Sequence, residues 1–266
     1  MSIIRMRPPL TYYGGKQRLA GEIVSRIPAD HICYGSVFAG GAAEFFAKGP
    51  SEIEILNDTN KEIMNFYQIV KAKFLDLEKM INISLHSRSM HQDAAVIYNN
   101  PHLFSDIKRA WAVWILATQS FSSMLDGTWG YDKKRNQTTK KVDSKKVSFT
   151  EEYAIRLQNV QLECADALYI IQSRDTKDSF FYCDPPYFNS DCGHYGGYTK
   201  EDFVRLLQTL SRIKGRFLLS SYPSQELQEY TRANGWMTVS FEQPISVNKG
   251  STGRKKIEVM TANYAI

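Results

Sequence analysis

The sequence predicts an α/β protein in which helices cover both faces of a mainly parallel sheet, three layers in all. Three observations carry this reading. From residue 30 onward, short apolar runs alternate with helical patterns, the order that builds a parallel sheet. The glycine-bearing and acidic motifs fall at the carboxyl ends of predicted strands, where such sheets bind ligands. The middle third breaks the alternation, so a main domain at residues 1–70 and 151–266 is expected to carry an inserted helical and hairpin subdomain at 71–150.

The elements follow in chain order. Residues 31–38 have a strand pattern ended by Gly40-Gly41, and 42–47 read as a helix. A second strand at 53–56 ends in Asn57-Asp58, and a helix starts near Lys61. Residues 71–122 are helical in pattern, with Trp111, Trp114 and Leu116 at core spacing. Residues 123–149 are polar, basic and rich in Gly and Thr, which predicts a loop or hairpin. Alternation then resumes with a strand at 159–164, a helix at 167–172, a strand at 179–183, a helix at 200–213 and a strand at 217–221. A helix at 224–234 and two closing strands, 236–241 and 256–264, complete the pattern.

The chain has 266 residues and is 43% hydrophobic, enough to bury a sizeable core and too apolar for global disorder. No run approaches the 18 apolar residues of a membrane span, and Met1-Ser2-Ile3-Ile4-Arg5 has no secretory apolar segment. Cys33, Cys164, Cys183 and Cys192 form no CxxC pair, and three lie in or next to apolar strands, as reduced thiols do. A cytoplasmic protein is expected. His194 with Cys183 and Cys192 matches no common zinc spacing, so no metal is expected.

Charge is gathered rather than spread. Residues 131–146 hold seven lysines and arginines against two aspartates, an excess equal to the net charge of the whole chain, +5. A second cluster, Lys249, Arg254, Lys255 and Lys256, contains no acid. Such gathering points to a polyanionic partner; the alternative is a solvated loop and edge strand.

Two motifs carry chemistry. In Phe38-Ala39-Gly40-Gly41, glycines at a strand-to-helix turn let a ligand approach the backbone. Asp58, 20 residues after Phe38 and at the next strand end, can accept both hydroxyls of a ribose. A Gly-Gly pair alone is equally a plain tight turn, and no triphosphate-binding loop is present. The second motif, Asp184-Pro185-Pro186-Tyr187, is far more specific. Each proline fixes its own φ and drives the residue before it to extended geometry. The stiff turn aims the Asp184 carboxylate and the Pro185 carbonyl outward. Two adjacent acceptors take both hydrogens of a planar exocyclic amine, while Tyr187 stacks on its ring. They favour the tetrahedral nitrogen needed for attack and stabilise the positive charge that develops there.

With these motifs the sequence resembles the Dam-like D12 class of S-adenosylmethionine-dependent DNA adenine-N6 methyltransferases, over nearly the whole chain. Tyr12-Tyr13-Gly14-Gly15-Lys16 is similar to its N-terminal segment, Phe38-Ala39-Gly40-Gly41 to its cofactor loop and Asp184-Pro185-Pro186-Tyr187 to its catalytic tetrapeptide. The segment from Ile245-Ser246 through Arg254 and Lys256 to Asn263-Tyr264 resembles its C-terminal part. The family's Glu-Pro before the loop Phe is Ser36-Val37 here, and its second loop glycine is Ala42; Ala42 is expected to start the helix early.

The resemblance implies a Rossmann-like methyltransferase sheet with an inserted target-recognition part. It implies S-adenosyl-L-methionine held by Tyr12, Gly14, Gly15, Lys16, Phe38, Ala39, Gly40, Gly41, Asp58, Asp166 and Asp184, with Asp166 near the cofactor adenine. Asp184, Pro185, Pro186 and Tyr187 form the catalytic turn. Double-stranded DNA is the implied partner, reached by a β-hairpin at 121–131. Lys133, Lys134, Arg135, Asn136, Lys140, Lys141, Lys249, Arg254 and Lys256 are its candidate contacts, lysines for phosphate and Arg135, Asn136 and Gln137 for bases. The target base must leave the stack, and transfer is expected to be direct, because no cysteine sits in a nucleophilic motif. A cognate restriction enzyme, a monomer or weak dimer, and a bacterial or phage origin fit the same class. Cytosine-N4 or RNA adenine methylation and an inactive DNA-binding relative are the alternatives. The loop 188–198 is expected either to close over an extruded base or simply to connect.

Overall fold

The computed structural model describes residues 6–189, 197–244 and 255–266. In chain order its elements are α1 (Ala20–Arg26), β1 (Cys33–Ser36), α2 (Ala43–Ala47), β2 (Ile53–Asn57), α3 (Lys61–Ala72), α4 (Phe74–Ile83), α5 (Arg88–Asn99) and α6 (Asp106–Gln119). Then come α7 (Gln137–Val147), α8 (Glu152–Leu157), β3 (Gln161–Glu163), α9 (Ala167–Ser173), β4 (Ser179–Cys183), α10 (Lys200–Leu210), β5 (Arg216–Ser221), α11 (Gln225–Asn234), β6 (Met237–Pro244) and β7 (Lys255–Ala262). The strands make one seven-stranded sheet in the order β3-β2-β1-β4-β5-β7-β6, the mixed α/β arrangement that the alternation predicts.

Two compact units divide the chain. One comprises residues 1–25 and 39–164, the other 26–38 and 165–266. In the second, β4 lies between β1 and β5 and runs parallel to both, while β7 is antiparallel to β5 and to β6. The five residues of β4, Ser-Phe-Phe-Tyr-Cys, are all buried, which is why this strand reads as an unbroken apolar run. Gly35 of β1 stands opposite Phe181, and a Cβ there would come within 2.9 Å of the Phe181 ring. Glycine makes room for the aromatic. Local signals set the helix ends: Thr199 and Asp202 form a reciprocal capping box on α10, and Gly235 closes α11 in the left-handed region at φ 66°.

The first unit pairs β2 with β3 in parallel and packs α3 against α6 and α8. Asn60 caps α3 by accepting from the Glu62 and Ile63 N–H groups. Trp114 and Leu116 are wholly buried, as their spacing predicts, whereas Trp111 is half-buried and anchored by its indole N–H on Ser84 Oγ at 2.7 Å. A buried ionic cluster joins α2, β2 and α8. Arg156 reaches both Glu54 oxygens and the Phe45 carbonyl and lies 3.8 Å over the Phe45 ring. Lys48 donates to Glu54, Ser51 and the Gly49 carbonyl.

Two expectations are corrected. The stretch 123–149 is not simply a loop or hairpin, because 137–147 forms α7. Asp132 reaches forward to cap it, its carboxylate accepting from the Thr138 N–H at 2.5 Å, and Val142 is its one buried residue. The 121–131 hairpin is minimal. Phe121 N–H bonds the Thr128 carbonyl and Gly130 N–H the Gln119 carbonyl, around a single Ser120–Trp129 bridge. Ala42 does not start α2 early. It precedes the helix in the left-handed region at φ 51°, ψ 43°, a conformation that costs a non-glycine residue about 1–2 kcal/mol. The backbone keeps the shape of a glycine position although the residue is alanine.

Candidate active site and nucleic-acid interface

The Asp184–Tyr187 turn continues β4 without interruption. Its position follows from that strand: the Val37 N–H donates to the Tyr182 carbonyl at 3.2 Å, and the Tyr182 hydroxyl bonds Ser220 Oγ of β5 at 2.9 Å. Pro185 is buried, while Asp184, Pro186 and Tyr187 are half-buried. The Tyr187 hydroxyl lies 3.1 Å from Asp184 Oδ1 and also bonds Glu258 of β7. Its ring meets Tyr222 edge-on at 4.5 Å. Burial first, then the charges of Asp184 and Glu258, hold the Tyr187 hydroxyl well above its ordinary pKa. It therefore stays a proton donor between two carboxyl groups, and fixes the direction of Asp184. Sequence reasoning missed Glu258, which is nearly buried. The one available signal was an acid among the apolar residues Ile257, Val259 and Met260.

Cys183 precedes the turn but is no nucleophile. Burial and the Asp184 charge push its thiol far above the usual range, and burial raises Cys33 and Cys164 as well. Phe38, at the end of the neighbouring β1, is half-buried and meets the Tyr198 ring edge-on at 6.4 Å. The Tyr198 hydroxyl is buried with no hydrogen-bond partner among the described residues. Burial chiefly raises it, and its neighbours Cys183, Asp202 and Asp166 raise it further. Asp166 is exposed and caps α9, one oxygen accepting from the Leu168 and Tyr169 N–H groups.

In the other unit, the glycine loop is tied to Asp58 and Tyr12. One Asp58 oxygen accepts the Gly40 N–H at 2.8 Å and the other the Asn60 N–H at 2.9 Å. Burial raises the Asp58 carboxyl above its ordinary pKa, although these two bonds pull it down. Ala39 N–H bonds the Asn57 carbonyl, and the Tyr67 hydroxyl bonds the Gly40 carbonyl. Tyr12 lies against the loop so closely that a Cβ on Gly40 or Gly41 would come within 3.1 Å of it. Gly40 also has φ +47°, the left-handed region that favours glycine. Gly14 is left-handed at φ 74°. The Gly15 N–H closes a turn on the Tyr12 carbonyl at 3.0 Å, and the nearly buried Lys16 donates to the Gly14 carbonyl at 3.3 Å. Tyr12, Gly14, Gly15, Lys16, Gly40, Gly41 and Asp58 thus form one continuous set.

The basic candidates divide. Lys133, Lys134, Arg135 and Asn136 are exposed ahead of α7, and Lys140 and Lys141 are exposed on it. Lys145 and Lys146 are half-buried instead. Burial lowers Lys145 to about 8, and Lys146 bonds the Ser84 carbonyl. Lys249 and Arg254 lie outside the described residues, and of Lys256 only the backbone in β7 is described. Most of loop 188–198 also lies outside them, with Cys192 and His194. Among the described residues no helix is long and apolar enough to cross a membrane.

Comparison with known proteins points to one family. The model of the D12 class N6 adenine-specific DNA methyltransferases matches residues 12–230. A type II methyltransferase of Lactococcus lactis subsp. cremoris is 25% identical over 283 residues, covering 98% of this chain and 96% of the relative. A type II methyltransferase of Paramecium bursaria Chlorella virus NC1A is 25% identical, with 98% and 99% covered. A DNA adenine methylase of Haemophilus influenzae is 24% identical, with 92% and 90% covered.

Proposed function

The chain belongs to the D12 class of N6 adenine-specific DNA methyltransferases, and from that premise we propose that S-adenosylmethionine donates the methyl group that it moves to adenine N6. That donor supplies an electrophilic sulfonium methyl. The residues of this chain suit it. The Asp58 carboxylate keeps lone pairs free beyond its two backbone bonds, as a ribose diol needs. The Gly40–Gly41 turn admits close backbone approach. The Tyr198 hydroxyl, beside Phe38 and under the charge of Asp166, has no partner among the described residues and suits one such as the adenine end. Asp58 holds the ribose, Tyr12 and Lys16 brace the loop, and Asp184 faces the target amine.

The single observation that carries this reading is the Asp184-Pro185-Pro186-Tyr187 turn at the end of a central buried strand. The flipped adenine presents its amine to the Asp184 carboxylate and the Pro185 carbonyl, and Tyr187 stacks on its ring. Bonding both hydrogens draws the nitrogen lone pair out of conjugation, and the carboxylate stabilises the charge that builds there. Proximity supplies much of the remaining acceleration. The protonated thiols of Cys33, Cys164 and Cys183 favour direct transfer.

Calorimetric titration with S-adenosylmethionine tests the donor. Wild type should bind it, and Asp58→Ala should bind about 10- to 150-fold more weakly, the value of a charge-assisted hydrogen bond. Unchanged affinity in the variant would show that another acid holds the ribose; no binding by wild type would remove the donor assignment.

Residues 71–150 are the proposed target-recognition part, with exposed lysines following the DNA backbone. Replacing Lys133, Lys134, Lys140 and Lys141 with alanine should weaken binding to every sequence alike. For every phosphate no longer neutralised, the slope of log affinity against log salt should flatten by about 0.9. A wild-type slope in that variant would mean that these lysines only solvate the loop and α7.

A further inference from the structure

We propose that Arg88 is a DNA contact of the insert, held over an aromatic platform so that the edge of its guanidinium meets two acceptor atoms of the duplex. Its carbon lies 4.7 Å above the Trp129 ring and 5.6 Å from that of Tyr131. The two rings are themselves stacked at 5.6 Å and 18°. The platform is braced. His86 packs on Trp129 at 4.8 Å, and its Nε2 lies 2.9 Å from the Gly130 carbonyl, its Nδ1 2.9 Å from Thr139 Oγ1. A carbonyl only accepts, so Nε2 carries a proton and donates it. Gln119 accepts from the Trp129 indole at 3.4 Å and from the Ser87 N–H at 3.2 Å, tying the start of α5 to the same ring.

The second observation concerns what Arg88 leaves unused. It is exposed, and among the described residues its interactions are the two ring contacts and a distant charge effect on His91. Arg109, on the next helix, spends its donors on Glu62 and Asp106. Stacking occupies the face of a guanidinium and leaves its in-plane N–H fork available. An exposed fork held over two rings suits a pair of acceptors: the O6 and N7 of a guanine, or two oxygens of one phosphate. Cationic Lys133, Lys134 and Arg135 follow two residues after Tyr131, so the platform opens the most basic stretch of the chain.

Arg88→Lys keeps the charge but loses the fork, and Arg88→Ala loses both. Both should lower DNA affinity about five- to 150-fold, raising KM for DNA while leaving kcat at saturating DNA and cofactor affinity unchanged. Tyr131→Ala, which frees one side of the guanidinium, should give a smaller loss in the same direction. If the acceptor is a guanine edge, the loss in Arg88→Ala disappears on duplexes altered at one base pair, and the salt slope stays as in wild type. If it is a phosphate, the loss is equal on all sequences and the slope flattens by about 0.9. Either pattern supports the contact and identifies its source. Wild-type affinity in a folded Arg88→Ala overturns it; should that variant not fold, wild-type affinity in Arg88→Lys does so.

Discussion

Asp184→Ala should abolish methyl transfer while the protein still folds and binds DNA. Deleting one group that stabilises developing charge costs about 10²–10³ in rate. Here the loss should be larger, because the same carboxylate positions the amine and is itself oriented by the Tyr187 hydroxyl. Removing the acid also takes one partner from that hydroxyl, which changes the setting of the stacking ring. Single-turnover transfer from labelled donor to duplex is the measurement. Retention of more than roughly a tenth of wild-type rate would take the catalytic role away from Asp184.

The largest expected effect on stability lies far from that turn. Glu54 is 5% exposed and holds two buried cations, Lys48 and Arg156. Glu54→Ala removes the carboxylate that both cations bond, a change that costs about 3–5 kcal/mol and lowers Tm by about 10 °C in a chain of this size. Burial works to raise the Glu54 carboxyl, but bonding to Arg156 and the charge of Lys48 prevail and bring it below its ordinary 4.5. A depressed carboxylate stabilises the fold above its unfolded value, and that contribution is lost as pH falls through the folded one. Wild type should thus lose stability on acidification below about pH 4.5, and Glu54→Ala should lose less over the same range. Equal Tm for both proteins at neutral pH would show the cluster to be neutral.

Sequence legibility followed burial and stiffness. The strand Ser179–Cys183 and the turn after it were readable because a wholly buried strand is continuously apolar and two prolines leave the backbone little choice. Asp58 was readable from its distance to the glycine loop, although its bonds to the Gly40 and Asn60 amides were not. Helix α7 was hidden because it buries only Val142 and takes its cap from Asp132, outside the helix. Helices α1 and α8 were hidden for the same reason, with two buried residues each. Glu258 depends on the antiparallel register of β7 against β5, in which Val259 pairs with Ser221, next to Tyr222. No local pattern announces a pairing made between strands that far apart in the chain. Ala42 shows the opposite failure: alanine favours helix, but the turn from Ala39 imposes a left-handed residue.

The central claim is that this turn methylates adenine N6 in DNA. The most direct test digests DNA from a host that expresses the chain, beside DNA from a host expressing Asp184→Ala, and quantifies the modified nucleosides by mass spectrometry. N6-methyladenine in the first sample alone is the predicted result. N4-methylcytosine in its place, or no modified base in DNA beside modified adenine in RNA, would contradict it.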